Sequence, residues 1–188
     1  MNSKFFPNKT ALITLVAACF VVNVTMGVRQ TFGLFSGDFE IDCGITNTEF
    51  GLAIALHALI WGALTPIFGR FADKHGGSRM VIFALLIYGV GVLALGNNFN
   101  TGSWFQINLG LFVGIGLGGA AGTILAPVVT KHFPNQSRGK AAGYVTAFGG
   151  LGMFIFPILT KYLMVVTGWQ NTFTVFAIIL FLMCIPGF

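Results

Sequence analysis

Residues 69–79 read Gly69-Arg70-Phe71-Ala72-Asp73-Lys74-His75-Gly76-Gly77-Ser78-Arg79, a basic, glycine-punctuated break between two long apolar runs, with one acid at its centre. An α-helix needs about 20 mostly apolar residues to cross roughly 30 Å of hydrocarbon. Working outward from the break, the chain offers six such runs, at roughly 11 to 36, 48 to 69, 79 to 98, 104 to 130, 140 to 166 and 169 to 187. The intervening pieces are Gly37 to Asn47, Arg70 to Ser78, Asn97 to Ser103, Lys131 to Gly139 and the Gly168-Trp169 turn. None has room for a separate soluble domain, so 1–188 reads as one six-helix transmembrane bundle.

Composition agrees. Of 188 residues, 55% are hydrophobic and 8% charged, with mean hydropathy +0.85, against about 25% charged in an average soluble domain. That excludes a soluble globular domain. The net charge of +5 is too thinly spread to track a phosphate backbone, so no nucleic-acid partner is expected. Lys4, Lys9, Arg70, Lys74, Arg79, Lys131, Arg138 and Lys140 fall on the side of the amino terminus, eight of the ten basic residues. Short loops rich in Lys and Arg stay cytoplasmic, so this face and both termini are read as cytoplasmic. Asp38, Glu40, Asp42 and Glu49 cluster at the first outer loop, leaving Asp73 as the lone acid among the basic loops.

The apolar amino-terminal run passes Asn23 and Arg29 without a small-residue cleavage site, so it is read as a retained first span and not a signal peptide. Cys19 and Cys184 lie in apolar runs and Cys43 in a loop. Three cysteines in that pattern offer neither a disulfide framework nor a paired metal motif. No cofactor is expected.

Pro66-Ile67-Phe68-Gly69-Arg70 ends the second span, and Pro157-Ile158-Leu159-Thr160-Lys161 lies in the fifth. These spans run in opposite directions, the relation a three-plus-three inverted repeat would leave. Span 4 carries Gly110, Gly114, Gly116, Gly118, Gly119 and Gly122, and span 5 carries Gly143, Gly149, Gly150 and Gly152 before Pro157. Small residues let helices approach closely in lipid, and Pro157 permits a kink. Gly114, Gly118, Gly150 and Pro157 are the expected packing and bending positions. No GxxxxGK[ST] phosphate loop occurs.

Arg29 lies seven residues before Ser36, roughly 10 Å below the outer end of its span at 1.5 Å per residue. Intramembrane charges usually face a cavity or a partner. Asn23 and Gln30, seven apart, share a face beside it. Two readings stand: an anion-attracting cavity wall, or an arginine snorkelling outward while Asn23 and Gln30 bond neighbouring helices. His57, Trp61 and Thr65 form one stripe at i+4 spacing. The stripe either lines a cavity, where His57 binds a carboxylate or carries a proton, or packs between helices. His75 and His132 belong to loops, so no metal site is expected. Lys161 reads as snorkelling, or, if its helix and that of Arg29 are adjacent at similar depth, as sharing an anion site with Arg29.

The 69–79 loop resembles the G-x-x-x-D-[RK]-x-G signature of the major facilitator superfamily, at the same topological place. Its matching positions are Gly69, Asp73, Lys74 and Gly76, flanked by Arg70 and Arg79. The resemblance implies that Asp73 pairs with neighbouring basic residues or a helix end and acts as a conformational latch. Gly27-Val28-Arg29-Gln30-Thr31-Phe32-Gly33-Leu34-Phe35, Arg138-Gly139-Lys140-Ala141-Ala142-Gly143 and Gly168-Trp169-Gln170-Asn171-Thr172-Phe173 are similar to the monocarboxylate and oxalate/formate porters. That branch often has Arg where this chain has Gln170. Many superfamily members have a span-4 Arg where this chain has Gly110, so proton coupling through that Arg does not carry over.

The family uses twelve spans. The resemblance therefore implies one half of a major facilitator fold, an amino-terminal fragment or truncated product that needs a carboxy-terminal six-helix half or a second copy. The expected function is secondary active transport of a small solute, an organic anion such as a monocarboxylate, by alternating access in a bacterial inner membrane. Efflux of apolar compounds and a non-transporting fragment or assembly subunit are the alternatives. No HExxH or GxSxG is present, and an enzyme is not expected.

Overall fold

The structure, a computed structural model, describes residues 8–97 and 102–185, and among these every regular element is helical. Helix α1 (Lys9–Thr31) starts where the Asn8 side chain accepts from the Ala11 amide at 2.7 Å. It passes through a tight 3-10 turn, Phe32–Phe35, into α2 (Ser36–Cys43), which stops at Gly44 in the left-handed conformation. The expected break from Gly37 is therefore largely helix. Hydropathy ends at Ser36, but helicity does not need apolar residues, and Asp38 in the first turn of α2 suits its positive end.

Helix α3 (Asn47–His75) opens with a capping box between Thr46 and Glu49 and continues past Gly69. Only Gly76, at φ 94°, separates it from α4 (Gly77–Leu95). The basic stretch thus forms the ends of two helices and not an extended loop. The fourth span is broken into α5 (Gly102–Phe105), a π-helical stretch over Gln106–Phe112, α6 (Val113–Ala120) and, after extended Ala121, α7 (Gly122–Thr130). Helix α8 (Asn135–Thr167) runs unbroken through Pro157. Gly168, at φ 82°, turns the chain into α9 (Trp169–Leu182).

Among the described residues, five helical stretches are long and apolar enough to cross a membrane: Lys9–Cys43, Asn47–His75, Gly77–Leu95, Gly102–Thr130 and Asn135–Thr167. The sixth expected span is shorter. Helix α9 has 14 residues, about 21 Å at 1.5 Å per residue, and the end of the expected run lies outside the described residues.

Within lipid, helices associate through close packing and interhelical hydrogen bonds, since the tails are as apolar as the side chains. Here α1 packs on α8, α6 on both α3 and α4, and α4 on α9. Glycine makes the α6 seam. A Cβ at Gly114 would sit 3.0 Å from Ile60 Cβ and 3.1 Å from the His57 carbonyl oxygen, and one at Gly118 would lie 3.1 Å from the Phe68 ring. On α8 the tight positions are Gly149, against Val22, and Gly152, against the Asn23 backbone. Gly150, expected to pack, faces open space instead, because one residue along a helix is a turn of about 100°.

Polar bonds tie the same helices. Thr25 Oγ1 donates to the Ala120 carbonyl at 3.3 Å, and the buried Tyr88 hydroxyl donates to the Thr25 carbonyl at 3.1 Å. At the acidic end, Trp169 Nε1 donates to Asp42 at 2.6 Å beside a cluster of Phe35, Phe39, Phe50, Phe105 and Phe173. Phe35 and Phe173 have ring centroids 4.3 Å apart; such pairs contribute roughly 0.5–1.5 kcal/mol beyond area burial.

Candidate functional site

Arg29, near the end of α1, lays its guanidinium over the Trp61 ring of α3, 5.0 Å from the centroid. A cation–π contact of this kind is worth about 0.5–2 kcal/mol. It does not satisfy the donors. Arg29 Nε is buried without a hydrogen-bond partner. One turn along α3 from Trp61, His57 is only 1% exposed and both its ring nitrogens also lack partners. The imidazole is held by rings, Phe32 edge-on at 6.4 Å and Trp61 at 6.2 Å.

Both residues line one cavity of about 250 Å³, with Gln30 and Gly33 from α1 and its following turn and Phe50 and Ile54 from α3. A buried donor or acceptor left unpaired costs about 1–3 kcal/mol. Three such nitrogens beside one cavity form a polar, net cationic recess with an apolar flank. A second cavity of about 350 Å³ is lined by Val22 and Met26 of α1, Trp61 of α3, Thr123 of α7, and Thr146 and Gly150 of α8. Along α1 the first cavity lies beyond Arg29 and the second before it, and the Arg29–Trp61 contact stands between them.

The sequence candidates separate accordingly. Arg29, Gln30 and His57 meet at the first cavity, and Trp61 walls the second. Asn23 lines neither: its Nδ2 donates to the Phe148 carbonyl of α8 at 2.9 Å. The Thr65 hydroxyl donates to the Trp61 carbonyl of its own helix at 2.8 Å. Phe50 and Ile54 were not singled out in the sequence, although they share the helical spacing of His57 and Trp61. Thr123 and Thr146 carried no sequence signal.

In the 69–79 segment, Lys131 Nζ at the end of α7 reaches Asp73 Oδ1 at 2.7 Å. Both side chains are well exposed, 59% and 70%. Gly69 approaches Ile124 of α7 at Cβ distance 3.8 Å, and Gly76 provides the positive φ that ends α3. Arg70, Lys74 and Arg79 are exposed around it. Among the described residues no group of three His, Cys, Asp or Glu could hold a metal ion.

These features define a membrane-spanning helical bundle with a cationic intramembrane recess and a basic helix-turn on one face. The model of the Major Facilitator Superfamily matches residues 10–188, and the chain belongs to that family. It is 28% identical over 171 residues to a probable sulfoacetate transporter of Cupriavidus necator, a match covering 89% of this chain and 38% of that protein. A probable nitrate transporter of Staphylococcus haemolyticus is 26% identical over 148 residues, 77% of this chain and 37% of its own length. The class H tetracycline resistance protein of Pasteurella multocida is 30% identical over 112 residues, 60% of this chain and 27% of its own. The chain thus spans well under half the length of these relatives. The family is one of transporters, not of enzymes.

Proposed function

We propose that the chain forms one six-helix half of a secondary transporter that carries a small anion, of the carboxylate or sulfonate kind, by alternating access. The observation that carries this is that Arg29 and His57, which between them hold three buried nitrogens without partners, line one cavity. An oxyanion accepts hydrogen bonds from the arginine and from the one N–H of a neutral His57 and offsets the arginine's charge, and charge-assisted bonds are about twice as strong as neutral ones. Phe32, Phe50 and Ile54 suit a short apolar body behind the anionic head. The relatives named for sulfoacetate and nitrate point the same way.

Helix pairing supports a three-plus-three inverted repeat. Exchanging first with fourth, second with fifth and third with sixth spans maps the α1–α8 contact onto the α6–α3 contact, and the α4–α9 contact onto itself. Leu151, Phe154, Ile158, Tyr162 and Val165 form an exposed stripe on α8. A second half, or a second copy, covers that stripe and closes the cavities. The Asp73–Lys131 pair joins the two repeats at the basic face and acts as the latch whose breaking accompanies rocking.

Uptake of labelled acetate, oxalate and sulfoacetate into proteoliposomes holding the complete transporter tests the reading. Arg29→Gln should lower anion uptake about 10- to 100-fold, as loss of a bond to a charged group worth roughly 1.5–3 kcal/mol requires. Full uptake by this variant would place the anion elsewhere.

A further inference from the structure

A cleft of about 580 Å³ opens between α3 and α4 at the basic end of the bundle, away from both cavities described above. Its walls are apolar: Ile67, Phe68 and Phe71 from α3 face Met80 and Phe83 from α4. Phe71 and Phe83 remain about half exposed, at 52% and 53%. Its mouth is different. His75 and Arg79 stand there on either side of Gly76, and Arg79 is exposed. The His75 ring is stacked on Phe71 at 4.3 Å and 26°, which holds it at the rim. The acid closest in sequence, Asp73, is engaged by Lys131 of α7.

From Ile67 to His75 the α3 wall climbs eight residues, about 12 Å, so the cleft runs from the water interface into the hydrocarbon depth. An apolar trough of that length ending in a cation fits an amphiphile with an anionic head. Inorganic phosphate makes no use of the trough, and an apolar helix face makes no use of the arginine. Basic recesses between membrane helices bind anionic lipid headgroups by this complementarity. We propose that the cleft seats one anionic phospholipid from the leaflet on the basic face, its phosphate at Arg79 and His75 and an acyl chain along Phe71, Phe68 and Phe83. None of its residues lines either cavity, so the proposal does not rest on where the transported anion binds.

The experiment places the chain in phosphatidylcholine nanodiscs doped with a photo-crosslinking phosphatidylglycerol and maps adducts by mass spectrometry. Adducts are expected on residues 67–83. Arg79→Gln should reduce their yield about fivefold, Arg79→Lys should keep it, and Lys140→Gln, which removes an exposed cation outside the cleft, should leave it unchanged. Equal labelling by a photo-crosslinking phosphatidylcholine would overturn the proposal. So would an equal loss in Lys140→Gln, or an absence of adducts on residues 67–83. Because the comparison of the two lipid probes is read on the unaltered chain, a poorly folding Arg79 variant does not blunt it.

Discussion

Asn23 and Arg29 sit six residues apart on α1, and the fold treats them oppositely. Asn23 is turned to α8, where it donates to the Phe148 carbonyl beside the close contact of Gly152 with its own backbone. Arg29 is turned to a cavity, braced by Trp61 but with Nε unpaired. One polar residue fastens two helices; the other leaves interaction capacity unused inside the membrane. His57 contains the same contrast within a single residue. Its carbonyl lies in the tight seam opposite Gly114, whereas its ring nitrogens are buried without partners.

The sharpest way to break this contrast is to disturb the glycine packing of α6, here on its α4 face. Gly116→Val puts a side chain 2.8 Å from Tyr88 Cα and 3.0 Å from the Ala84 carbonyl oxygen. Both are backbone atoms that cannot swing aside, so the cost should reach or exceed about 3 kcal/mol. Size-exclusion chromatography in detergent should show loss of the monodisperse peak. A second change acts in the opposite sense. His57→Leu removes two unpaired buried nitrogens and should stabilise the bundle by roughly 1–3 kcal/mol, read as a raised melting temperature, while anion uptake falls. A lowered melting temperature would mean that the imidazole is a packing group.

Asn23→Leu is the counterpart at the fastening site. It should destabilise by about 0.6 kcal/mol, the average for interhelical hydrogen bonds in a membrane, and leave the uptake KM unchanged; a shifted KM would return Asn23 to the cavity. The smallest effect belongs to Asp73→Asn. An exposed ion pair contributes about 0–1 kcal/mol, so thermal stability should barely move. Transport rate should change if the Asp73–Lys131 pair works as a latch, and wild-type rates would reduce it to a surface contact.

Much of the topology was legible because hydropathy and glycine report it directly. Gly76 and Gly168 mark turns that the positive φ angles explain, and the Gly114 and Gly118 seam follows from small-residue spacing. The helix over Ser36–Cys43 was not legible, since its acids read as loop once the apolar run ends. Nor was the choice of Gly149 and Gly152 over Gly150, which depends on rotation of α8 against α1. Of the site, Arg29 and His57 stood out as ionisable groups in apolar sequence. Their convergence did not, because they stand 28 positions apart, on α1 and α3, and only the tertiary arrangement brings them to one cavity. The Lys131 partner of Asp73, 58 residues away, was hidden for the same reason.

The π-helical stretch over Gln106–Phe112 has a consequence for how this chain tolerates changes of length. Elsewhere in a long helix, losing one residue rotates everything beyond it by about 100°. Here the wider coil already holds slack relative to an α-helix. A one-residue deletion within 106–112 has a local way to be absorbed, by tightening to α geometry. The same deletion within α6 would carry Gly114 or Gly118 off the α3 seam. Length variation in the fourth span should therefore survive selection on the Gln106 side of Val113 and be purged on the other.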